Sequence, residues 1–302
     1  MPDEACAASP EDHAPDESGA GLVLVSTPIG NLDDMPPRGR AALAAADLVL
    51  CEDTRHTARL LSAFGIRART RPLHEHNEDA VIPGVVGALR AGQRVVLVSD
   101  AGMPVVSDPG YRLVRAAIAD GLRVTAVPGP NAAVTALVLS GLPPQPFLFL
   151  GFPPPRQNAR QSAFGALRAV ERAGLAATLI WYEAPHRLAE TLADMAASFG
   201  TRPAVVAREL TKRFEEVRRD SLPELARYYA TEPARGEITI LLGPPAQDDP
   251  EDLDGQLSAA LASHSLRDAA ALVAAATGLP RKVVYARALM LAGSGLARRA
   301  PE

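Results

Sequence analysis

One stretch constrains the fold more than any other: Val95-Val96-Leu97-Val98-Ser99-Asp100-Ala101-Gly102-Met103-Pro104-Val105-Val106-Ser107-Asp108-Pro109-Gly110. It reads as a buried strand that runs into a loop of small, polar and turn-forming residues. Beyond the loop, Leu113, Val114, Ala117 and Ile118 recur at helical spacing. In an open α/β sheet, ligands sit beyond the carboxyl ends of the strands, so this loop is where a cofactor is sought. It carries neither the Gly-rich dinucleotide fingerprint nor the Gly-Lys-Ser/Thr of a phosphate loop. A ligand held there does not place its weight on a pyrophosphate or triphosphate.

Strand and helix patterns alternate around it. Residues 22–26, 48–51, 94–99 and 123–127 read as short buried strands, with amphipathic stretches at 38–46 and 54–64. That is an α/β unit with a mostly parallel sheet. A helical run at 131–139 is closed by Gly141, and a second set follows: strands at 147–150, 178–181, 204–207 and 237–242, with helices at 157–172 and 186–198. The expected organisation is a disordered acidic tail (1–20), an N-terminal α/β domain (21–130) and a C-terminal α/β domain (131–243). An acidic linker (244–254) and a helical, helix-turn-helix-like extension (255–302) complete it. The length of 302 residues suffices for two domains with real cores, and no apolar run is long enough to cross a bilayer. Six acids and no base in the first 20 residues are unlike a secretory signal. Only Cys6 and Cys51 are present, so no disulfide framework is expected and a reducing cytoplasm fits.

The net charge of −4 argues at first against a polyanionic partner, but its distribution argues otherwise. The tail and the segment 248–254 hold 11 of the 35 acids with no compensating base, which leaves 24 against 31 Lys and Arg, or about +7, for the rest. Basic clusters recur at Arg67, Arg69 and Arg71, at Arg156 and Arg160, at Arg208, Lys212, Arg213, Arg218 and Arg219, and at Arg281, Lys282 and Arg287. Any one cluster reads as solvated surface; their joint presence is compatible with a polyanion.

Chemistry-capable residues gather where strands end. The first strand enters Thr27-Pro28-Ile29-Gly30-Asn31, and the second ends at Cys51-Glu52-Asp53-Thr54-Arg55-His56. An N-cap at Asp53 or Thr54 explains part of that junction but does not require Glu52, Arg55 and His56 together. In His74-Glu75-His76-Asn77-Glu78 the two histidines would share one face of a strand, which invites a metal reading. Zinc needs three or four ligands and no other Cys or His cluster completes the set, so no metal is expected. Tyr182-Glu183-Ala184-Pro185-His186-Arg187 sits at a strand-to-helix junction, with Pro185 suited to a first helical turn, and Arg208-Glu209-Leu210-Thr211-Lys212-Arg213 also follows a strand.

Together these motifs, with Val127-Pro128-Gly129-Pro130 and Ser140-Gly141-Leu142, resemble the tetrapyrrole methylase (class III methyltransferase) superfamily over nearly everything from Gly21 to about Leu291. The final helices, with Asp268-Ala269-Ala270 and Lys282-Val283-Val284-Tyr285, resemble a C-terminal extension of its RNA-directed members. The resemblance implies two α/β domains, S-adenosylmethionine as cofactor and a homodimer. It implies 2′-O-methylation of a cytidine in the decoding centre of 16S rRNA, on the small ribosomal subunit. By motif it assigns the cofactor to Pro28, Asp100, Gly102, Met103, Ser107, Asn131, Ala132, Tyr182, Glu183 and Thr239. Met103 stands where the family often has Thr, and Thr239 interrupts an otherwise apolar strand.

Methyl transfer from a sulfonium chiefly demands alignment, and a proton acceptor helps as the 2′-hydroxyl loses its proton. Glu52, His76 and Glu183 are candidates for that role, with Lys212 and Arg187 as phosphate or alkoxide stabilisers. Arg55, Arg187, Arg208, Lys212 and Arg213 are candidates for RNA contact. Two other readings stay open: a small-molecule tetrapyrrole methylase of the same fold, and a non-catalytic RNA-binding factor.

Overall fold

Ten strands and eleven α-helices build the chain in a computed structural model that describes residues 19–245, 250–277 and 279–293. Residues 1–18 of the expected tail and 246–249 of the expected linker lie outside these. The chain divides into two compact units, Met1–Thr135 with Glu209–Glu215, and Ala136–Arg208 with Glu216–Glu302.

The first unit is built on β1 (Gly21–Val25), β2 (Leu48–Cys51), β3 (Thr70–Pro72), β4 (Arg94–Val98) and β5 (Val124–Val127) in the order β3-β2-β4-β1-β5. Every pairing is parallel, with Val23 beside Val96 and Thr125, and Val49 beside Val96. Parallel neighbours need crossovers, supplied by α1 (Pro37–Ala44), α2 (Thr54–Ala63), α3 (Glu78–Arg90) and α4 (Tyr111–Ala119). Each face of the sheet is apolar. Leu22, Leu50, Val95 and Leu97 join Val81, Val85, Leu89 and Leu113 in one cluster, while Val25, Val49, Val96 and Val98 join Met35, Leu43 and Leu61 in another. Burying each such side chain contributes about 1.5–3 kcal/mol.

The second unit is mixed. After α5 (Ala132–Ser140) come β6 (Phe147–Phe149), α6 (Gln157–Arg172), β7 (Thr178–Glu183), α7 (Leu188–Phe199) and β8 (Pro203–Arg208). β9 (Glu216–Ser221), α8 (Leu222–Thr231) and β10 (Ile238–Leu242) follow, and the sheet order is β6-β7-β10-β8-β9. Only β6 and β7 run parallel; β10 is antiparallel to β7 and β8, and β8 to β9. One face packs Trp181, Val206, Ile238 and Ile240 against Phe164, Leu192, Met195 and Leu225. Arg160, 1% exposed, is held by Asp194 at 2.6 Å, and Gln157 and Gln161 donate to the same carboxylate. Three further helices, α9 (Pro250–Leu261), α10 (Leu266–Thr277) and α11 (Arg281–Gly293), close on Leu257, Ala270, Val273, Val284 and Ala288.

Four elements depart from the sequence reading. β3 and α3 were expected as neither strand nor helix, because Pro83 and Gly84 interrupt the helical pattern of 78–90. Pro83 is tolerated inside α3, whose apolar face, Val81, Val85 and Leu89, is buried. β9 carries Glu216, Arg218, Arg219 and Asp220, the charge-rich composition of an edge strand rather than a buried one. α8 follows it directly, with Pro223 in its first turn. The end of the expected linker, 250–254, is instead the first turn of α9. His74 to Asn77 form a turn before α3, so His74 and His76 do not share a strand face.

Asp194→Ala leaves the buried Arg160 guanidinium with only the exposed Glu190 carboxylate, 3.8 Å away, as counter-charge. Denaturant unfolding is expected to show a loss of about 3–5 kcal/mol; a loss below about 1 kcal/mol would show that the pair contributes little.

Candidate active site at the carboxyl edge of the first sheet

Because the five strands of the first sheet are parallel, the loops that leave their carboxyl ends lie along one edge. Hydrogen bonds tie those loops together. Thr27 and Gly102 exchange two backbone bonds, at 2.9 and 3.0 Å, which join the loops after β1 and β4. The Thr27 hydroxyl donates to the Ser99 carbonyl at 3.2 Å, and the Ser99 hydroxyl donates to that of Gly102 at 2.9 Å. Ser26 donates its hydroxyl to the Pro130 carbonyl at 2.7 Å, which brings in the loop after β5. The Asp53 N–H donates to Asp100 Oδ1 at 3.3 Å, which brings in the loop after β2.

The loop after β4 also holds strained backbone. Val105 has φ 76° and Ser107 φ 66°, in the left-handed region that a β-branched residue such as valine rarely enters. Such residues cost about 1–3 kcal/mol each and cluster at functional sites. Among the described residues the other two non-glycine residues with positive φ are Glu209 (53°) and Thr211 (64°), in a segment packed on the loop after β1. There the Asn31 N–H donates to Thr211 Oγ1 at 3.1 Å. A Cβ on Gly30 would stand 2.4 Å from Lys212 Cγ and 2.8 Å from the Leu210 carbonyl oxygen, so only glycine permits this approach.

The edge is acidic. Burial, then the charges of Glu52 and Asp100, push the Asp108 carboxyl up to about 7, against a hydrogen bond with Ser99. Glu52 is raised by burial and Asp100 and lowered by His74. Asp53 belongs to the helix instead: it accepts the Arg55 N–H at 2.8 Å as the cap of α2, and hydrogen bonds from Arg55 hold it at about 2. His74 Nδ1 is buried with no hydrogen-bond partner, whereas His76 is exposed, its ring 6.2 Å from that of His74. Carboxylates around a half-buried loop favour a cation and repel a phosphate. S-adenosylmethionine carries a sulfonium and an ammonium, so these residues fit that cofactor, and the orphaned His74 nitrogen offers a further polar contact.

Of the sequence candidates, the first unit gathers Pro28, Glu52, Asp100, Gly102, Met103 and Ser107 on these loops, with Asn131 and Ala132 at the start of α5. Asn131 Oδ1 accepts the Val134 N–H at 3.1 Å and so caps that helix. Lys212 Nζ donates to Glu209 at 2.8 Å, and Arg55 pairs with Asp53. Arg213 is exposed.

The second unit holds the rest. Tyr182, on β7, packs edge-on to Phe149 and Phe152, and lies opposite Thr239 in the antiparallel register. Glu183 ends β7. It is 2% exposed, accepts the Ala184 N–H at 2.8 Å and the Thr191 hydroxyl, and meets Arg187 Nε at 3.3 Å. These contacts make it an organiser of the start of α7. Arg187 likewise donates to the Pro153 carbonyl at 2.7 Å, and Arg208 to Glu216 at 2.5 Å.

Asp108 and His74 are the residues that sequence reasoning passed over, although both lie in motifs already singled out. The signal for Asp108 was its spacing from Asp100 across a loop that folds back. Native Asp108 keeps its proton up to about pH 7, while the unfolded chain releases it near 3.8. Its stabilising contribution is therefore full below about pH 4 and lost as pH rises through about 7. Asp108→Asn should melt higher than the wild type at pH 8–9 and converge with it near pH 4. Parallel pH profiles would disprove the assignment.

Comparison with known proteins agrees with this geometry. Residues 21–226 match the family model for Tetrapyrrole (Corrin/Porphyrin) Methylases, and residues 247–292 match the RsmI C-terminal HTH domain. The protein named Ribosomal RNA small subunit methyltransferase I of Mesorhizobium japonicum is 47% identical, covering 89% of this chain and 92% of its own. The protein of the same name in Escherichia coli O157:H7 is 42% identical, covering 91% and 96%. Among solved structures, the methyltransferase CobJ superposes with a TM-score of 0.55 at 20% identity, over 75% of this chain and 95% of its own. Uroporphyrin-III C-methyl transferase from Thermus thermophilus, complexed with S-adenyl homocysteine, gives 0.52 at 18%, over 74% and 97%. At such identities the structural likeness shows the fold alone. The chain belongs to the tetrapyrrole (corrin/porphyrin) methylase family, in the branch formed by the ribosomal RNA small subunit methyltransferase I proteins.

Proposed function

We propose that this protein transfers the methyl group of S-adenosylmethionine to the 2′-oxygen of a cytidine ribose in the decoding centre of 16S rRNA, acting on the small ribosomal subunit. The observation that carries the reading is the 42–47% identity, over about nine-tenths of the chain, to proteins named for methylation of small-subunit ribosomal RNA. The acidic, phosphate-repelling edge of the first sheet supports a cationic cofactor. The cofactor supplies an activated methyl group. The chain's own task is then alignment: Pro28, Gly102 and Met103 supply close apolar and backbone surface, and Asp100 supplies negative charge for the cationic groups. Glu52, raised toward neutrality by burial and by Asp100, is suited to take the 2′-hydroxyl proton, with His76 a second candidate on the neighbouring turn. Arg55, Lys212 and Arg213, which share the first unit, are the residues proposed to meet the RNA backbone.

The reducing cytoplasm fits the buried free thiol of Cys51, and among the described residues no helix is long and apolar enough to cross a membrane. A homodimer is supported by exposed large apolar side chains of the second unit, Val138 and Leu139 on α5 and Phe147 and Leu148 on β6, since exposed apolar surface is a mark of interfaces. Light scattering should give a mass near twice 31.7 kDa, and Val138→Asp should lower it; a monomeric wild type would refute the dimer.

Labelled methyl transfer offered in parallel to small subunits, free 16S rRNA and a tetrapyrrole tests the reaction. Incorporation into the small subunit is expected, with affinity falling steeply as salt rises through counterion release. Incorporation into the tetrapyrrole alone would overturn the reading, and a flat salt response would remove the arginine clusters from the RNA contact.

A further inference from the structure

The segment between β8 and β9 carries an aromatic side chain with no role so far. Phe214 is 66% exposed, at the tip of Glu209–Glu215, the part of the chain that groups with the first unit. A lone exposed phenylalanine needs no explanation. This one is held out by a segment whose backbone is fixed at several points. Glu209 and Thr211 occupy the left-handed region, and the Thr211 N–H donates to Glu215 at 2.7 Å. The Lys212 N–H donates to the Glu209 carbonyl at 3.0 Å and the Glu215 N–H to that of Lys212 at 3.1 Å. The base of the segment sits on Gly30 so closely that no larger residue fits. Arg213 turns its guanidinium over the Phe214 ring, 5.5 Å from the centroid.

Strain and close packing spent to present an apolar ring to solvent point to a ligand with a flat face. We propose that the Phe214 ring, with the Arg213 guanidinium, is the platform on which an unpaired base of the RNA substrate stacks. The inference rests on the RNA-directed reading above. RNA is read mainly through splayed, single-stranded bases that stack on aromatic rings and on guanidinium planes, and this tip offers an exposed ring with a guanidinium over it. A phosphate would call for cations and no ring. The tip is also tied to the reaction site within one unit: Thr211 holds the Asn31 N–H, four residues beyond Thr27, which is bridged to Gly102. A base stacked on Phe214 would thereby fix its ribose relative to the loops that hold the cofactor.

The test compares wild type with Phe214→Ala, Phe214→Leu and Phe214→Trp for methyl transfer to small subunits, with calorimetric binding of S-adenosylmethionine as a second readout. The Ala and Leu variants should lose roughly tenfold to a hundredfold in kcat/KM, mostly as a higher KM for the RNA. Their cofactor affinity should be unchanged, and the Trp variant should restore KM. The chain's one natural tryptophan, Trp181, is 2% exposed, so quenching of the emission added in the Trp variant by a short single-stranded RNA reports stacking directly. A Leu variant with wild-type KM, or emission unmoved by RNA, would overturn the proposal. So would an Ala variant whose only change is a halved mass in light scattering, which would make the ring a contact between copies. If wild type itself fails to methylate RNA, the RNA-directed reading fails, and the emission experiment still judges the stacking.

Discussion

The paired backbone bonds between Thr27 and Gly102 are the interaction on which the candidate site depends. β1 and β4 are neighbours in the sheet, but their loops would diverge after Ser26 and Ser99 without a bond across the gap. The bridge has Gly102 at φ +80°; the Ser99 hydroxyl donates to the same Gly102 carbonyl, and the Thr27 hydroxyl donates to that of Ser99. With these two loops joined, the Pro130 carbonyl reaches Ser26 and Asp100 reaches the Asp53 N–H, so four strand ends become one connected edge. Breaking the bridge would release each loop separately.

Electrostatics then decides what such an edge can hold. Glu52, Asp100 and Asp108 crowd a half-buried space, where burial, and then repulsion by Glu52 and Asp100, push the Asp108 carboxyl up to about 7. A cationic ligand relieves that repulsion, which makes the acidic cluster unfavourable when empty and favourable when filled. The strained residues divide in the same way. Val105 and Ser107 shape the loop after β4 at the acidic edge, while Glu209 and Thr211 shape the segment that displays Phe214. Both kinds of strain persist because packing around them over-determines the backbone.

Much of the first sheet was legible before the structure. Alternation of apolar runs with amphipathic stretches marks β1, β2 and β4, each buried on both faces, and also β5, partly exposed at the sheet edge. β3 and α3 were not legible, since Thr70–Pro72 is short and exposed and Pro83 reads as a breaker until the packing of Val81, Val85 and Leu89 is seen. Among site residues, Asp100, Gly102 and Glu52 stand where strand ends led one to look. Glu183 looked equivalent in sequence, yet it is buried and tied to Ala184, Arg187 and Thr191 at the start of α7, a local environment that spacing cannot reveal. His74 and His76 were inseparable by type. The turn that buries one nitrogen and exposes the other ring tells them apart.

By itself, then, the order of residues determined an α/β chain with a mostly parallel first sheet, a loop after the strand at 94–99 unsuited to phosphate, and a basic body beneath a negative net charge. These follow from local properties: hydrophobic periodicity, turn chemistry and composition. Only the tertiary structure decided which carboxylates repel one another, which are spent on helix caps, and which ring is held out on a braced tip. Those outcomes depend on distances between residues far apart in the chain, such as Gly30 and Lys212 or Asp53 and Asp100, and on the solvent each site excludes.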